Sequence, residues 1–394
     1  MATTVLRHVG ELTTNDPSVG DHSPMGRIFD AAMVVDDEWV LWVGPDAQAP
    51  AADDTLELHG AAVIPGFVDS HTHLVFAGER SDEFEARMAG RRYDGGGIIR
   101  TVHATRAAST AVLESLARAR VAELFASGVT TVEIKSGYDL TLEGEARLLE
   151  VAGAFSDEVT FLGAHVLPPE YAHRRDDYVA LVCDAMLERC APLARWADVF
   201  CEEGAFSVDE SLAILGAASE AGLGLRVHGN QLGHSGGVAL AVELDAASVD
   251  HCAFLSDDDV YQLAASNTVA TLLPGAEFST RAPYPDAARL VREGVTVALA
   301  TDCNPGTSYL TNMGVVIALA VREMGLSCDE ALLAATWGGA RALRRDDVGH
   351  LGVGARADYA VLSAPRAAHL AYRVGTPLVA QTNRARRVAS AKAP

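Results

Sequence analysis

Two histidines, His71 and His73, stand one residue apart at the end of an apolar stretch that begins at Ala61. Residues i and i+2 of a β-strand point to the same face, so the two imidazoles would project side by side. Such a pair is either one side of a metal site or a coincidence at the end of a buried strand. Polar residues at the ends of other apolar stretches distinguish between these two interpretations.

Chemically versatile side chains follow most of the stretches that we interpret as strands. They are His71 and His73, Lys135 and Tyr138, His165, His228, His251 and Asp302. A single histidine at a strand end is more often structural than a ligand. Five histidines and an aspartate at strand ends reverse this expectation, because the carboxyl ends of the strands of a parallel barrel meet at one mouth.

Four of these residues form the donor set that we predict for one divalent metal ion. They are His71, His73, His228 and Asp302. Three imidazoles and one carboxylate suit zinc or ferrous iron. Because such an ion lowers the pKa of bound water toward about 7, the predicted reaction is hydrolysis of a carbon–nitrogen or similar bond.

The elements that would position these side chains alternate between short apolar strands and longer helical patterns. Capping-box patterns at Ser207–Glu210 and Ser327–Glu330 mark helix starts, and glycines such as Gly128 mark helix ends. Eight strand-then-helix units predict an α/β fold, a parallel (β/α)8 TIM-like barrel. An open doubly wound sheet is the less favoured alternative, because no GxGxxG follows the first strand. The predicted strands are "AAVIPGFVDSH" from Ala61, "VTTVEIK" from Val129, "VTFLGAH" from Val159, "ADVFCE" from Ala197, "LGLRVH" from Leu223, "ASVDH" from Ala247, "TVATLLP" from Thr268 and "VTVALATD" from Val295.

The number of metal ions can also be predicted. Two-metal hydrolases with this barrel often bridge their ions with a modified lysine at the end of the fourth strand. Here that strand reads "DVFCEEG" and contains no lysine, which favours a single ion. Lys135 ends the second strand instead, and we interpret it as a supporting or structural residue.

Both ends of the chain have β character. Residues 1–60 contain a hairpin pattern with Asp36 and Asp37 at its tip, and the tail contains short strand patterns after Gly349 and from Pro377. We predict that residues 1–60 and 347–394 form a small discontinuous β-sandwich domain. The catalytic barrel of residues 61–346 would be inserted between its two parts.

Composition restricts the partners and the compartment. The formal net charge of −22 over 394 residues argues against nucleic acid or an anionic membrane as a partner. The six cysteines include no CxxC pair, so we interpret them as reduced thiols of a cytoplasmic protein. We also expect no signal peptide, because the N-terminus lacks a basic region followed by an apolar run, and no membrane span, because no apolar run approaches about 20 residues.

Several longer motifs resemble the amidohydrolase superfamily and, within it, the imidazolonepropionase family. They are "PGFVDSHTHLVFAGER" from Pro65, "GGGI" from Gly95, "TTVEIKSGYDL" from Thr130, "TFLGAHVLPPEY" from Thr160, "ATDCNPGTS" from Ala300 and "HLAYRVG" from His369. The paired histidines and the aspartate alone would identify only the superfamily. "HTHLVFAGER" and "EIKSGY" are the specific motifs.

The resemblance implies that a metal-bound hydroxide opens the ring of 4-imidazolone-5-propanoate to N-formimidoyl-L-glutamate, a step of histidine degradation. It implies the same metal ligands, and it implies a homodimer. Asp302 would also accept the proton of the water, and His251 would polarise the ring carbonyl or orient the water. Arg80 would bind the propionate, since a guanidinium pairs with both oxygens of a carboxylate. The implied substrate-binding residues are Arg80, Tyr138, His165, Gln231, Asn304, Gly306 and Thr307.

One position departs from the family pattern. A glutamate usually stands three residues after the fifth-strand histidine, whereas here "HGNQ" places Gln231 after His228. A glutamine can form hydrogen bonds with the ring but cannot carry a proton. Either Asp302 and His251 carry the proton, or the substrate differs slightly, or the protein is impaired. We favour the first explanation, because the other motifs are intact.

Two other functions stay open at this point. One is a related deaminase or amidase that acts on another carboxylate-bearing cyclic amide or formimino substrate. The other is a metal-binding scaffold without catalysis, for which the Gln231 departure is the only support. We also interpret the glycine-rich segment from Tyr93 as a mobile cover over the barrel mouth.

Overall fold

The computed structural model describes residues 2–90 and 97–385 of the chain. The two ends of the chain meet in one seven-stranded sheet, in the order β15-β14-β5-β1-β2-β3 with β4 beside β1. The predicted hairpin is present, with Asp36 and Asp37 in the turn between β2 and β3. The strands of this end sheet are β1 (Thr4–Thr13), β2 (Arg27–Val35), β3 (Val40–Pro45), β4 (Asp54–Glu57), β5 (Val63–Pro65), β14 (Tyr359–Leu362) and β15 (Val379–Asn383).

The second sheet has eight parallel strands, each paired with its neighbour along the chain. They are β6 (Phe67–Asp69), β7 (Val129–Lys135), β8 (Glu158–Ala164), β9 (Trp196–Cys201), β10 (Gly224–Gly229), β11 (Ser248–His251), β12 (Val269–Leu272) and β13 (Val297–Leu299). The predicted fold class, a (β/α)8 barrel with an additional β-structure from both chain ends, is confirmed.

Backbone contacts just past β6 and β13 bring the first and last strands of the barrel together. The His73 amide donates to the Cys303 carbonyl at 3.0 Å, and the Asp302 amide donates to the His71 carbonyl at 3.1 Å. The carboxylate of Asp69 accepts hydrogen bonds from the amide and the hydroxyl of Thr301. The residues that close the barrel therefore include the predicted ligands from both strands.

The strand predicted from Ala61 is two short strands that belong to different sheets. Gly66 separates them: its amide donates at 2.8 Å to the carbonyl of Asp358, just before β14 of the end sheet, whereas the next amide, of Phe67, donates to the carbonyl of Gly128, just before β7 of the barrel. A β-carbon on Gly66 would come within 2.3 Å of the Thr130 hydroxyl. Only glycine allows this close approach, and it stands at the point where the chain passes from the end sheet to the barrel. The limits of the two predicted domains stay a prediction.

Helices connect the barrel strands, and their ends follow local chemistry. Both predicted capping boxes are present, with Ser207 and Ser327 as N-caps. The π-helical turns Val182–Met186 and Ala334–Gly338 join α5 to α6 and α13 to α14. The helices are α1 (Ser81–Met88), α2 (Ile98–Ala107), α3 (Thr110–Ala126), α4 (Leu142–Gly153), α5 (Arg175–Leu181), α6 (Leu187–Cys190), α7 (Val208–Glu220), α8 (Gly237–Glu243), α9 (Asp257–Ala264), α10 (Pro274–Thr280), α11 (Ala287–Arg292), α12 (Met313–Glu323), α13 (Cys328–Leu333), α14 (Gly339–Ala342) and α15 (His369–Tyr372).

The main apolar core lies between the barrel and its helices, whereas the barrel interior near the mouth is charged. Lys135 and Arg226 are among the largest side chains with no exposed surface. All six cysteines are free thiols. In the described part of the chain, no helix has both the length and the apolar character needed to span a membrane. Residues 93–96, the part of the predicted cover that precedes Gly97, lie outside the described residues.

Candidate active site

Three imidazoles and one carboxylate converge at the carboxyl end of the barrel. The Nε2 atom of His73 lies 3.3 Å from Nε2 of His71 and 3.4 Å from Nε2 of His228. Asp302 Oδ1 lies 3.5 Å from Nε2 of His71 and 3.7 Å from Nε2 of His73. His71 and His73 follow β6, His228 lies in β10 and Asp302 follows β13. The structure thus brings together the four side chains that the sequence predicts as ligands.

The spacing of these atoms suits a divalent ion. Bonds of about 2.0–2.1 Å to a tetrahedral zinc place neighbouring imidazole nitrogens about 3.3–3.4 Å apart. His71 and His228 each direct Nδ1 at a carboxylate, so their Nε2 atoms carry lone pairs, and that of His71 faces Asp302 Oδ1 at 3.5 Å. Such lone pairs repel unless a cation lies between them. The donor set therefore fits a metal ion on geometry and on charge.

Burial keeps the ligand histidines His71 and His73 neutral, which is the state in which they bind a metal. It lowers the pKa of His71 and His73 well below 6.5, with the Lys135 ammonium adding to the effect at His71. Burial also raises the pKa of Asp302 well above its usual range. Neutral imidazoles are ready to ligate, and the buried carboxylate needs a cation close by.

Two buried aspartates orient the ligand histidines from behind. Nδ1 of His71 forms a 2.7 Å hydrogen bond with Asp250 Oδ2, and Nδ1 of His228 lies 2.9 Å from Asp198 Oδ2. A carboxylate at Nδ1 fixes the proton there and leaves Nε2 as the ligand atom. Neither aspartate has exposed side-chain surface.

Two buried cations compensate these aspartates. The Lys135 ammonium lies 2.9 Å from Asp198 Oδ2 and 2.9 Å from Glu133 Oε1, and the Arg226 guanidinium lies 3.2 Å from Asp250 Oδ2. Burial lowers the pKa of Lys135, but Asp198 and Glu133 outweigh this effect and the net change is upward. The lysine is therefore an ammonium.

The remaining predicted residues line one cavity of about 70 Å³ above the ligands. It is lined by His73, Arg80, Ile98, Tyr138, His165, Val166, Phe200, His228, Gln231, Leu232, His251, Asp302, Asn304, Gly306 and Thr307. Every residue that the sequence predicts for the site lies here except His71, which lies beneath it. A polar wall with one arginine suits a small polar anion.

Aromatic rings form one wall of the cavity. The His165 ring stacks on His73 with centroids 5.2 Å apart, and Tyr138 lies 5.2 Å from His165. His165 Nδ1 lies 2.9 Å from the Gly137 carbonyl, and burial lowers its pKa to about 3. A neutral His165 therefore donates through Nδ1, which leaves Nε2 as an acceptor.

Arg80 reaches the cavity from the start of α1. Its guanidinium donates to Glu83 at 2.6 and 2.9 Å. A β-carbon on Gly306 would lie 2.4 Å from Arg80 Nη1, so the absence of a side chain at position 306 makes room for the arginine. Gly306 thus acts on the site through Arg80.

Asn304 organises the loop that follows Asp302. Its side-chain oxygen accepts hydrogen bonds at 2.8 Å from the amides of Gly306 and Thr307, and its nitrogen donates to the Asp302 carbonyl and to the Thr307 hydroxyl. The Thr307 hydroxyl lies 3.3 Å from Asp302 Oδ2. Asn304 therefore positions Thr307 and Asp302.

Gln231 and His251 line the cavity. A hydrogen bond holds the backbone of Gln231, and the backbone of His251 is strained. The buried carboxylate of Glu202 accepts hydrogen bonds from the amides of Gln231 and Leu232. His251 has a φ of 82° and Asp302 a φ of 52°, in the left-handed region that non-glycine residues rarely adopt. One nitrogen of His251 also lies within 4.8 Å of ligand atoms of His71 and His228.

Sequence reasoning missed the carboxylates and the arginine behind the ligands. Their signal was present, because charged residues stand two positions before a site residue in otherwise apolar strands. Such pairs are Glu133 with Lys135 and Arg226 with His228. With a period of two, both members of each pair face the barrel interior.

Known proteins are similar to this chain over most of its length. A model of the amidohydrolase family matches residues 62–390. The imidazolonepropionase of Mycolicibacterium smegmatis is 62% identical over 380 residues, which cover 96% of each chain. The imidazolonepropionase of Streptomyces coelicolor is 58% identical over 379 residues, which cover 96% of this chain and 97% of that one.

Solved structures share the fold at low sequence identity. The zinc complex of atrazine chlorohydrolase from Arthrobacter aurescens matches 96% of this chain and 93% of its own, with a TM-score of 0.69 and 18% identity. An adenosine deaminase from Xanthomonas campestris with bound zinc has a TM-score of 0.70 and 19% identity, over 96% of this chain and 91% of its own.

Proposed function

We propose a mechanism for a chain that belongs to the amidohydrolase family and, within it, to the imidazolonepropionases. The chain hydrolyses 4-imidazolone-5-propanoate in histidine degradation. A related deaminase or a non-catalytic scaffold is not favoured, because relatives with 56–62% identity over nearly the full length carry the imidazolonepropionase name.

One divalent ion, zinc or iron, is the proposed cofactor. The residues that would hold it are His71, His73, His228 and Asp302. When bound, such an ion would lower the pKa of a water molecule enough for attack at neutral pH. The observation that carries this proposal is that Nε2 of His73 lies 3.3–3.7 Å from Nε2 of His71, Nε2 of His228 and Oδ1 of Asp302.

In the proposed reaction one residue carries a proton and another stabilises developing charge. The Asp302 carboxylate accepts a proton from the attacking water, and His251 donates a hydrogen bond to the ring carbonyl oxygen as charge develops on it. The ring carbon–nitrogen bond then breaks, and the departing nitrogen takes up the proton from Asp302. Gln231 forms a hydrogen bond with the ring and carries no proton.

The other residues bind and orient the substrate. Arg80 pairs with the propionate carboxylate, and Tyr138 and His165 lie against the ring. Thr307 lies at the glutamate end of the product, on the loop that Asn304 and Gly306 shape. Positive charge from Arg80 is needed at this end, because the chain as a whole carries a net charge of −22.

The test combines metal analysis with turnover. Protein prepared without metal and then titrated with zinc or ferrous iron should gain activity in proportion to one bound ion per chain. Activity is the loss of ultraviolet absorbance as the imidazolone ring opens. A metal-loaded protein that leaves this substrate intact would contradict the proposal, as would full turnover after complete removal of metal.

Two further properties belong to the proposal. We infer a homodimer from the family resemblance, and the mass in solution tests it. A cytoplasmic location agrees with six free thiols and with an intracellular degradation pathway.

A further inference from the structure

One internal lysine stands out in a chain that otherwise uses arginine. Of 31 lysine and arginine residues, only Lys135 and Lys392 are lysine. Lys135 ends β7 inside the barrel, with no exposed surface. A lysine ammonium is compact and donates in three directions, whereas a guanidinium is planar and wider. The surroundings of Lys135 therefore suit a compact charge.

The ammonium of Lys135 joins the two carboxylates that orient the ligand histidines. It lies 2.9 Å from Asp198 Oδ2, the same oxygen that faces His228 Nδ1. It lies 3.9 Å from Asp250 Oδ2, the same oxygen that accepts from His71 Nδ1. Two histidines, two aspartates and one lysine thus form an arc beneath the site, which a metal ion at the two Nε2 atoms would close.

Three buried carboxylates surround the ammonium of this arc. Glu133 is the third carboxylate around Lys135, at 2.9 Å, and Arg226 pairs with Asp250 from the far side. Three carboxylate oxygens around one point would suit a hard divalent cation. That point is taken by the ammonium.

We propose that Lys135 is a positioning residue for the metal site. Its ammonium keeps Asp198 and Asp250 where they orient His228 and His71. This inference rests on the metal site of the proposed function and adds the residue that holds the two orienting carboxylates in place.

The first test separates positioning from charge balance. Lys135→Met removes the ammonium and leaves an uncompensated buried carboxylate, which strongly destabilises the fold. The double variant Glu133→Gln/Lys135→Met removes one charge of each sign and restores the balance. We expect it to fold, as judged by circular dichroism, and to bind zinc at least 10-fold more weakly than the parent in competition with a chelator. Glu133→Gln alone and Lys392→Met are the matched controls, and we expect both to bind zinc within about threefold of the parent.

The second test uses the unaltered chain. Protein labelled with ¹⁵N at the lysine side chains has only two such groups, and Lys392→Arg assigns them. We expect Lys135 to show the signal of a slowly exchanging ammonium. One equivalent of zinc should shift this signal and leave that of Lys392 in place, and further zinc should not bind tightly.

Two results would overturn the inference. They are parental zinc affinity in the folded double variant and a neutral amine signal for Lys135. A parent chain that binds no zinc or iron at all, or that binds two ions tightly, would instead contradict the proposed function. Neither test depends on the substrate, so the two failures can be distinguished.

Discussion

The two ends of the barrel both carry dense clusters of charge, but they differ in burial. At the mouth, Lys135, Asp198 and Asp250 have no exposed side-chain surface. At the opposite end, Glu158 is equally buried, but its partners Arg195 and Arg345 have 41% and 22% of their side chains exposed. Water screens the second cluster and not the first.

The buried cluster at the mouth orients metal ligands, whereas the half-exposed cluster around Glu158 joins two parts of the fold. Arg195 precedes β9 and Arg345 follows α14, so Glu158 links the base of the barrel to the segment that leads into the end sheet. Water can solvate Glu158 when a half-exposed arginine is removed. In the described part of the mouth, nothing takes the place of a buried charged side chain that is removed. We therefore expect substitutions there to lower the metal affinity first and the free energy of unfolding second.

The largest effect should follow loss of a ligand at the mouth. We expect His228→Ala to abolish metal retention and turnover together, because Nε2 of His228 lies against the other ligand nitrogens. Metal content after gel filtration and the ring-opening rate measure this. His234→Ala is the matched control, since His234 is exposed and six residues further along. Full metal content in His228→Ala would contradict the ligand assignment.

A smaller effect should follow from the support behind a ligand. Asp250→Asn keeps the shape of the side chain but weakens the hydrogen bond to His71 Nδ1 and the pairing with Arg226. We expect metal affinity to fall about 10- to 100-fold while the ligand set stays complete. Chelator competition measures the affinity, and an unchanged value would show that the proton position on His71 does not depend on Asp250.

Arg80 lies farther from the metal, so its loss should affect substrate binding alone. A hydrogen-bonded charge pair contributes about 1.5–3 kcal/mol, so we expect Arg80→Ala to raise KM about 10- to 100-fold with little change in metal content. Arg174→Ala is the control, because Arg174 is exposed and pairs with the exposed Asp177. An unchanged KM in Arg80→Ala would remove the proposed carboxylate contact.

The sequence predicts most of the mouth and little of what lies beneath it. Strand ends are readable because apolar runs stop at histidines, and the barrel brings those ends together whatever the loop geometry. The charged residues of the arc beneath the site, Lys135, Asp198 and Asp250, cannot be predicted in this way. Each charge is acceptable inside only because of partners from other strands, and pairing across strands cannot be read from one strand at a time. The sequence also did not predict that Gly66 divides the first strand in two. The reason is the same, because the residue that approaches Gly66 closely, Thr130, belongs to another strand.

Glu277 is a buried carboxyl near the mouth, and the pH dependence of stability tests the effect of its burial. Burial raises the pKa of Glu277 to about 8. The unfolded chain loses this proton near pH 4.3, so between about pH 4.3 and 8 the folded state binds more protons and stability falls as pH rises. The contribution approaches about 1.4 kcal/mol per pH unit. Denaturant unfolding of Glu277→Gln should lack this slope, whereas the exposed control Glu293→Gln should keep it.

The smallest effect on turnover should come from the base of the barrel. Glu158→Gln weakens hydrogen bonds to Arg195, Arg345 and the Trp196 indole, and we expect the free energy of unfolding to fall by about 1–2 kcal/mol. Turnover and metal affinity should match the parent, because the change lies at the amino ends of the strands and leaves the mouth intact. Glu188→Gln, on the exposed side of α6, controls for loss of a surface charge. If Glu158→Gln lowered metal affinity as much as Asp250→Asn does, the two clusters would be coupled through the barrel, and burial alone would not explain their difference.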